Sequence, residues 1–109
     1  IAPLHHAALR SNRVSETALT NVFTGRPARG IINRIMAEAG PLSDNTPAFP
    51  LAGGALAPLR TASEKAGSDG FMSLWAGQAA SLGREMGAGE LTRTLAKEAL
   101  ALLGKRSNG

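Results

Sequence analysis

The stretch Phe71 to Met86, FMSLWAGQAASLGREM, decides how the chain is read, because it holds the single tryptophan and a concentrated mix of apolar, small and amide residues. On a helix, Phe71, Trp75, Ala79, Leu82 and Met86 fall within an arc of about 80°, an apolar stripe with Gln78 just outside it. The periodicity therefore predicts an amphipathic helix over 71–86. Gly77 lies inside that pattern, where glycine costs about 1 kcal/mol relative to alanine. Either another backbone approaches closely there, or the turn must leave room for a ligand.

Outward from this stretch, the local signals are mostly helical. Asp69 is placed to cap the predicted helix and Gly67 to end the one before it. That preceding segment, Pro50 to Gly67, puts Leu51, Ala55, Leu59, Ala62 and Ala66 on one face; Gly53, Gly54 and Pro58 interrupt it, predicting a kink near Ala57 or two short helices. After Gly87, the spacing of Leu91, Leu95, Ala99 and Leu102 predicts a closing helix from about Glu90 to Leu103, with Arg93 and Lys97 opposite. Gly40 to Phe49, rich in Pro, Ser, Asp and Asn, reads as a loop and as the most mobile interior segment.

The first third of the chain is more mixed. Pro3, followed by Leu4, Ala7, Ala8 and Leu9, predicts a short opening helix. Thr17 to Phe23, TALTNVF, is the one credible strand, and with no second strand in view it is expected to pair outside these residues or to act as an extended connector. Thr24 to Gly30, TGRPARG, is expected to turn the chain into a helix carrying Ile31, Ile32, Ile35 and Met36, with Gly25 free to adopt φ > 0. Arg26 and Arg29 there admit two readings, an anion site at a helix start or a clamp onto a neighbouring segment.

Composition narrows the classes of function. The chain has 109 residues, no cysteine, 4% aromatic residues and a net charge of +4. At this length it is one small domain at most, and no disulfide or thiolate chemistry is open to it. The basic residues are scattered among acids rather than gathered into a patch, which argues against a nucleic-acid partner. No apolar run is long enough to span a bilayer, so no membrane association is expected and a cytoplasmic location is the default. His5 and His6 are adjacent and point about 100° apart on a helix, so they cannot chelate one metal together; no metal site is expected. No nucleophile constellation stands out. The chain starts at Ile1 rather than methionine, and with one unpartnered strand and three or four helices it reads as a piece of a larger α/β protein, expected to be partly unfolded or self-associating alone.

With TGRPARGIINR and SLWAGQAASLGREM both in view, the chain resembles the C-terminal region of the nitronate monooxygenase family, formerly the 2-nitropropane dioxygenases. The opening LHHAALRS, TALTNVFTGRPARG, FPLAGGALAPLR, LWAGQ and the closing Glu-Leu helix occur in the family's order. The resemblance implies a mainly α fragment of three to five helices with one possible short strand, the C-terminal extension of an FMN-binding (β/α)8 TIM barrel. Residues 1–109 would then form one helical segment packed against its own barrel, with the barrel portion absent. It implies an enzyme that oxidises alkyl nitronates with O2 to carbonyl compounds and nitrite, the fragment being inactive alone, with the catalytic histidine and most FMN contacts upstream of Ile1. Trp75, Gly77 and Gln78 become the candidate cofactor-binding residues: Gln78 offering its amide to the flavin, Gly77 clearing space, Trp75 walling the cleft. The competing reading makes Trp75 a core anchor, Gly77 a packing contact and Gln78 a bridge to backbone. The related Ala-Gly-Gln segment of flavin-dependent enoyl reductases keeps that activity as an alternative. A stand-alone helical module binding a partner is a second.

Overall fold

The computed structural model describes residues 1–108, with side chains through residue 106. Helix α1 (Pro3–Arg10) starts where Pro3 is pre-set for a first helical turn, and its last turn carries Arg10. A 3-10 turn, Asn12–Ser15, follows, its first residues held by the Ser11 hydroxyl, which accepts the Arg13 N–H at 3.2 Å. Strand β1 (Thr17–Thr20) then pairs antiparallel with β2 (Ala28–Ile31) in the register Thr17–Ile31, Ala18–Gly30, Leu19–Arg29 and Thr20–Ala28. The Ile32 N–H donates to the Glu16 carbonyl at 2.9 Å and extends the ladder.

This hairpin corrects the sequence reading twice. The strand expected to need an outside partner finds it eight residues further on, and the TGRPARG turn leads into β2 rather than a helix. Helix α2 (Arg34–Ala39) begins later, keeping Ile35 and Met36 but not Ile31. The physical reason is that β2 is paired on both of its edges. On its second edge lies Leu74–Ala76, with Gly30 opposite Trp75. The Ile31 N–H donates to the Leu74 carbonyl at 2.8 Å, and the Ala76 N–H to the Arg29 carbonyl at 3.2 Å.

The predicted helix over 71–86 is therefore absent. Residues 71–79 are extended or irregular, and only Ala80–Leu82 forms a 3-10 turn. Asp69 caps no helix; its carboxylate takes both terminal nitrogens of Arg13, at 2.8 and 3.2 Å. Extended around the single bridge at Trp75, LWA alternates sides with a period of two. Leu74 and Ala76 join Ala8, Val14, Ile31 and Met72 in one apolar cluster. Trp75 joins Val22, Phe23 and Met36 in the other. The central ribbon thus separates two small cores, and Ile31 and Leu74 are wholly buried.

Helix α3 (Ala52–Lys65) is one helix with Pro58 inside it, so of the two expected outcomes the pair of short helices is not formed. Its inward face is also shifted. Ala52 is buried and Leu56 packs on the second cluster, whereas Leu51 and Leu59, of the apolar face read from the spacing, are exposed. Gly67, just past its end, has φ +79°, the left-handed conformation that favours glycine. The Gly40–Phe49 loop is pinned to the β1–β2 connection: the Thr20 hydroxyl donates to the Pro41 carbonyl at 2.6 Å, and Asn21 exchanges two hydrogen bonds with Ser43. Gly25, at φ +93°, lies against the same loop, and a Cβ there would collide with the Phe49 backbone nitrogen.

Helix α4 (Ala88–Asn108) differs from everything before it. Among its described side chains none is buried; Leu91 and Thr94 are half-buried, and Leu95, Leu100, Leu102 and Leu103 are exposed. The chain measures 54 Å along its long axis with a radius of gyration of 17.4 Å. A compact chain of this length would have about 13 Å.

Candidate functional site

The three candidate residues sit where the ordered ribbon ends. Gly30 permits the close approach: a Cβ on it would meet the Leu74 carbonyl oxygen at 2.9 Å and the Trp75 ring at 3.5 Å. In an antiparallel pair of this kind, opposed residues share a face and their backbones come close, so the Trp75 indole covers the glycine. The ring meets Phe23 edge to face, centroids 5.5 Å apart and planes at 85°. Trp75 is thereby fixed on the second core and is half-buried. Its carbonyl accepts from His5 Nε2–H at 3.0 Å, a contact across seventy residues that no local sequence signal announces.

Gly77 and Gln78 follow directly, and both are exposed. A Cβ on Gly77 would meet no atom within 4 Å, so no backbone among the described residues requires glycine there. The Gln78 amide has no hydrogen-bond partner among the described residues, so the bridge to backbone envisaged for it is not made within them. An amide left this way presents one acceptor and two donors. That complement suits a ligand edge that both donates and accepts.

The arginines of the TGRPARG turn do act as clamps. The Arg26 guanidinium lies over the Phe49 ring, 4.1 Å from its centroid, and Arg29 donates to the Thr17 hydroxyl at 3.1 Å. Asn33 is a staple that the sequence reading missed. Its Nδ2 donates to the carbonyls of Asp69 and Met72 at 2.9 and 2.7 Å, joining the start of α2 to the segment that leads into LWAGQ. Its buried Oδ1 has no partner among the described residues.

Beyond Gln78 the chain borders a groove of about 900 Å³ between α1 and residues 80–85. His6 Nε2 lies 2.6 Å and Arg10 Nε 3.4 Å from the Glu85 carboxylate at its edge. On the far side Arg84 pairs bidentately with Glu98 of α4, at 2.8 and 2.9 Å. That hydrogen bonding lowers the Glu98 carboxyl below its ordinary value and raises Arg84. Among the described residues no His, Asp and Glu side chains gather into a metal-holding group. No helix of the described residues is long and apolar enough to cross a membrane.

The solved structure of a nitroalkane oxidase from Streptomyces ansochromogenes superposes on the whole of this chain with a TM-score of 0.79 and 39% identity, while the chain covers 30% of that protein. Sequence comparison gives the family. The profile of nitronate monooxygenase matches residues 1–98, and the chain belongs to that family. A nitronate monooxygenase of Pseudomonas aeruginosa is 41% identical over 95 residues, which is 86% of this chain and 27% of the relative. A probable nitronate monooxygenase of Staphylococcus saprophyticus is 29% identical over 102 residues, 94% of this chain and 29% of the relative. The chain thus spans under a third of the length of these relatives.

Proposed function

We propose that the chain is the C-terminal part of an FMN-dependent oxidoreductase that converts alkyl nitronates and O2 to carbonyl compounds and nitrite. The family match over residues 1–98 carries this reading. The exposed leucines of α4 and the extended shape support the view that these residues pack as a helical tail against a (β/α)8 barrel formed by the rest of the protein. By this account the tail has no turnover alone, and the complete protein is cytoplasmic.

When bound, FMN supplies the electron chemistry, and the protein supplies position and electrostatics. In this chain that task falls to the end of the ribbon. Trp75 anchors the segment in the second core and walls the approach. Gly77 keeps the space beside it clear, and Gln78 turns its amide toward the cofactor side, where its donors and acceptor hold the ring edge in place. The names of the relatives, nitronate monooxygenase and nitroalkane oxidase, favour a nitro-compound substrate over the enoyl reductase alternative.

The test uses the complete protein. It should be yellow with FMN and release nitrite from an alkyl nitronate; a colourless protein that does not bind FMN removes the reading. Gln78→Ala should weaken FMN binding or slow nitrite release by about five- to tenfold, the loss of one hydrogen bond. Unchanged affinity and turnover would leave Gln78 without a cofactor role.

A further inference from the structure

We propose that His5 is a positioning residue that sets where the Gly77–Gln78 corner stands; its catalytic consequence rests on the reading of Gln78 given above. The inference comes from one peptide unit held from two directions. The Trp75 carbonyl accepts from His5 Nε2–H at 3.0 Å, and the N–H of the same peptide, on Ala76, donates to the Arg29 carbonyl at 3.2 Å. With both polar groups fixed, the plane of that peptide cannot rotate without breaking a bond. The next fixed point is the 3-10 turn, which opens with the Ala80 N–H donating to the Gly77 carbonyl at 3.2 Å. Gly77 and Gln78 span the gap between the two.

Helix α1 grips this loop at both ends. His5 takes Trp75 at its start, and His6 and Arg10 take Glu85 at its finish. Leu4 and Leu9 of the same helix pack on the first core beside Ala76 and Ala80, so α1 and the loop share one apolar contact surface. The two grips differ in strength. The His6–Glu85 pair involves side chains 46% and 57% exposed, where an ion pair contributes little. The His5 bond is partly buried, and its loss would leave the carbonyl of the half-buried Trp75 without this partner. A histidine donates through Nε2–H both as that neutral tautomer and when protonated, so this grip does not depend on its charge.

The experiment compares His5→Leu, which removes the donor, with His5→Gln, whose amide N–H has a similar reach, in the complete FMN-loaded protein. Hydrogen exchange over residues 77–82 reads the loop, and the FMN dissociation constant with the visible band of bound flavin reads the cofactor. Exchange over 77–82 should rise about five- to tenfold in His5→Leu and return toward the parent value in His5→Gln. FMN affinity and band position should follow the same order, with His6→Gln changing either by less than about twofold. If His5→Leu does not fold, His5→Asn, polar but too short, takes its place. Faster exchange with unchanged FMN affinity would uphold the positioning role and overturn the flavin role of Gln78. Unchanged exchange in the donor-less variant, or equal loss in His5→Gln, would overturn the proposal.

Discussion

The segment Leu74–Ala76 and the helix α4 show opposite relations between local pattern and environment. Helical apolar spacing runs through the sequence around both, over 71–86 and over about Glu90 to Leu103. In α4 that period is realised over Ala88–Asn108, with no buried side chain among those described. In Leu74–Ala76 it is overridden, because backbone bonds to Arg29 and Ile31 and burial in two cores outweigh a weak local preference. Helical periodicity wins where tertiary contacts are few and loses where they are many. The same contrast divides the chain into a ribbon-centred body and an arm with four exposed leucines, Leu95, Leu100, Leu102 and Leu103.

Substitutions that act on one region and spare the other test this division. The largest effect is expected from Leu74→Ala, which opens a cavity at a wholly buried position and should lower the unfolding free energy by about 2–5 kcal/mol. Leu100→Ala, at a site 69% exposed, should stay within about 0.5 kcal/mol of the parent in the same urea titration of the 109-residue chain. Equal effects at the two sites would break the comparison. Next comes Asn33→Ala, which strips the donors from two carbonyls in the 69–72 segment and should cost about 1–3 kcal/mol. A near-neutral result would show that this staple does not hold LWAGQ to the body.

The smallest effect concerns the link between the regions. Glu98 is held below its ordinary carboxyl value by its hydrogen bonds from Arg84, so the pair's contribution is present above the usual carboxylate range and is lost as pH falls through the depressed value. Both groups lie in water, and salt should weaken the pair as acid does. Protection factors at Leu91 and Thr94, in which the intrinsic pH dependence of amide exchange is divided out, should fall slightly with acid and with salt while that at Ile31 stays fixed. A fall of equal size at Ile31 would mean that body and arm unfold as one.

How much of this was legible in the sequence depended on the range of the interactions. Pro3 at the start of α1, the left-handed glycines Gly25 and Gly67, and the closing helix are local effects, and the residues show them directly. β1 could be read but β2 could not, since ARGI lies between a proline and an isoleucine run whose spacing imitates a helix. Its identity depends on the second edge that Leu74–Ala76 provides, and Gly30 makes sense only with Trp75 laid across it. The motif singles out Trp75, Gly77 and Gln78; the structure packs Trp75 on the second core and leaves Gly77 and Gln78 exposed beyond it. His5 and Asn33 were missed because each acts through a contact 36 residues or more away.

Native-state hydrogen exchange of the 109-residue chain tests the division most directly. The slowest amides are expected at Ile31 and Ala76, which bond across the ribbon, with faster exchange through Leu95–Leu103 of α4. A continuous helical pattern of protection from Phe71 to Met86, or α4 amides slower than Ile31, would contradict it.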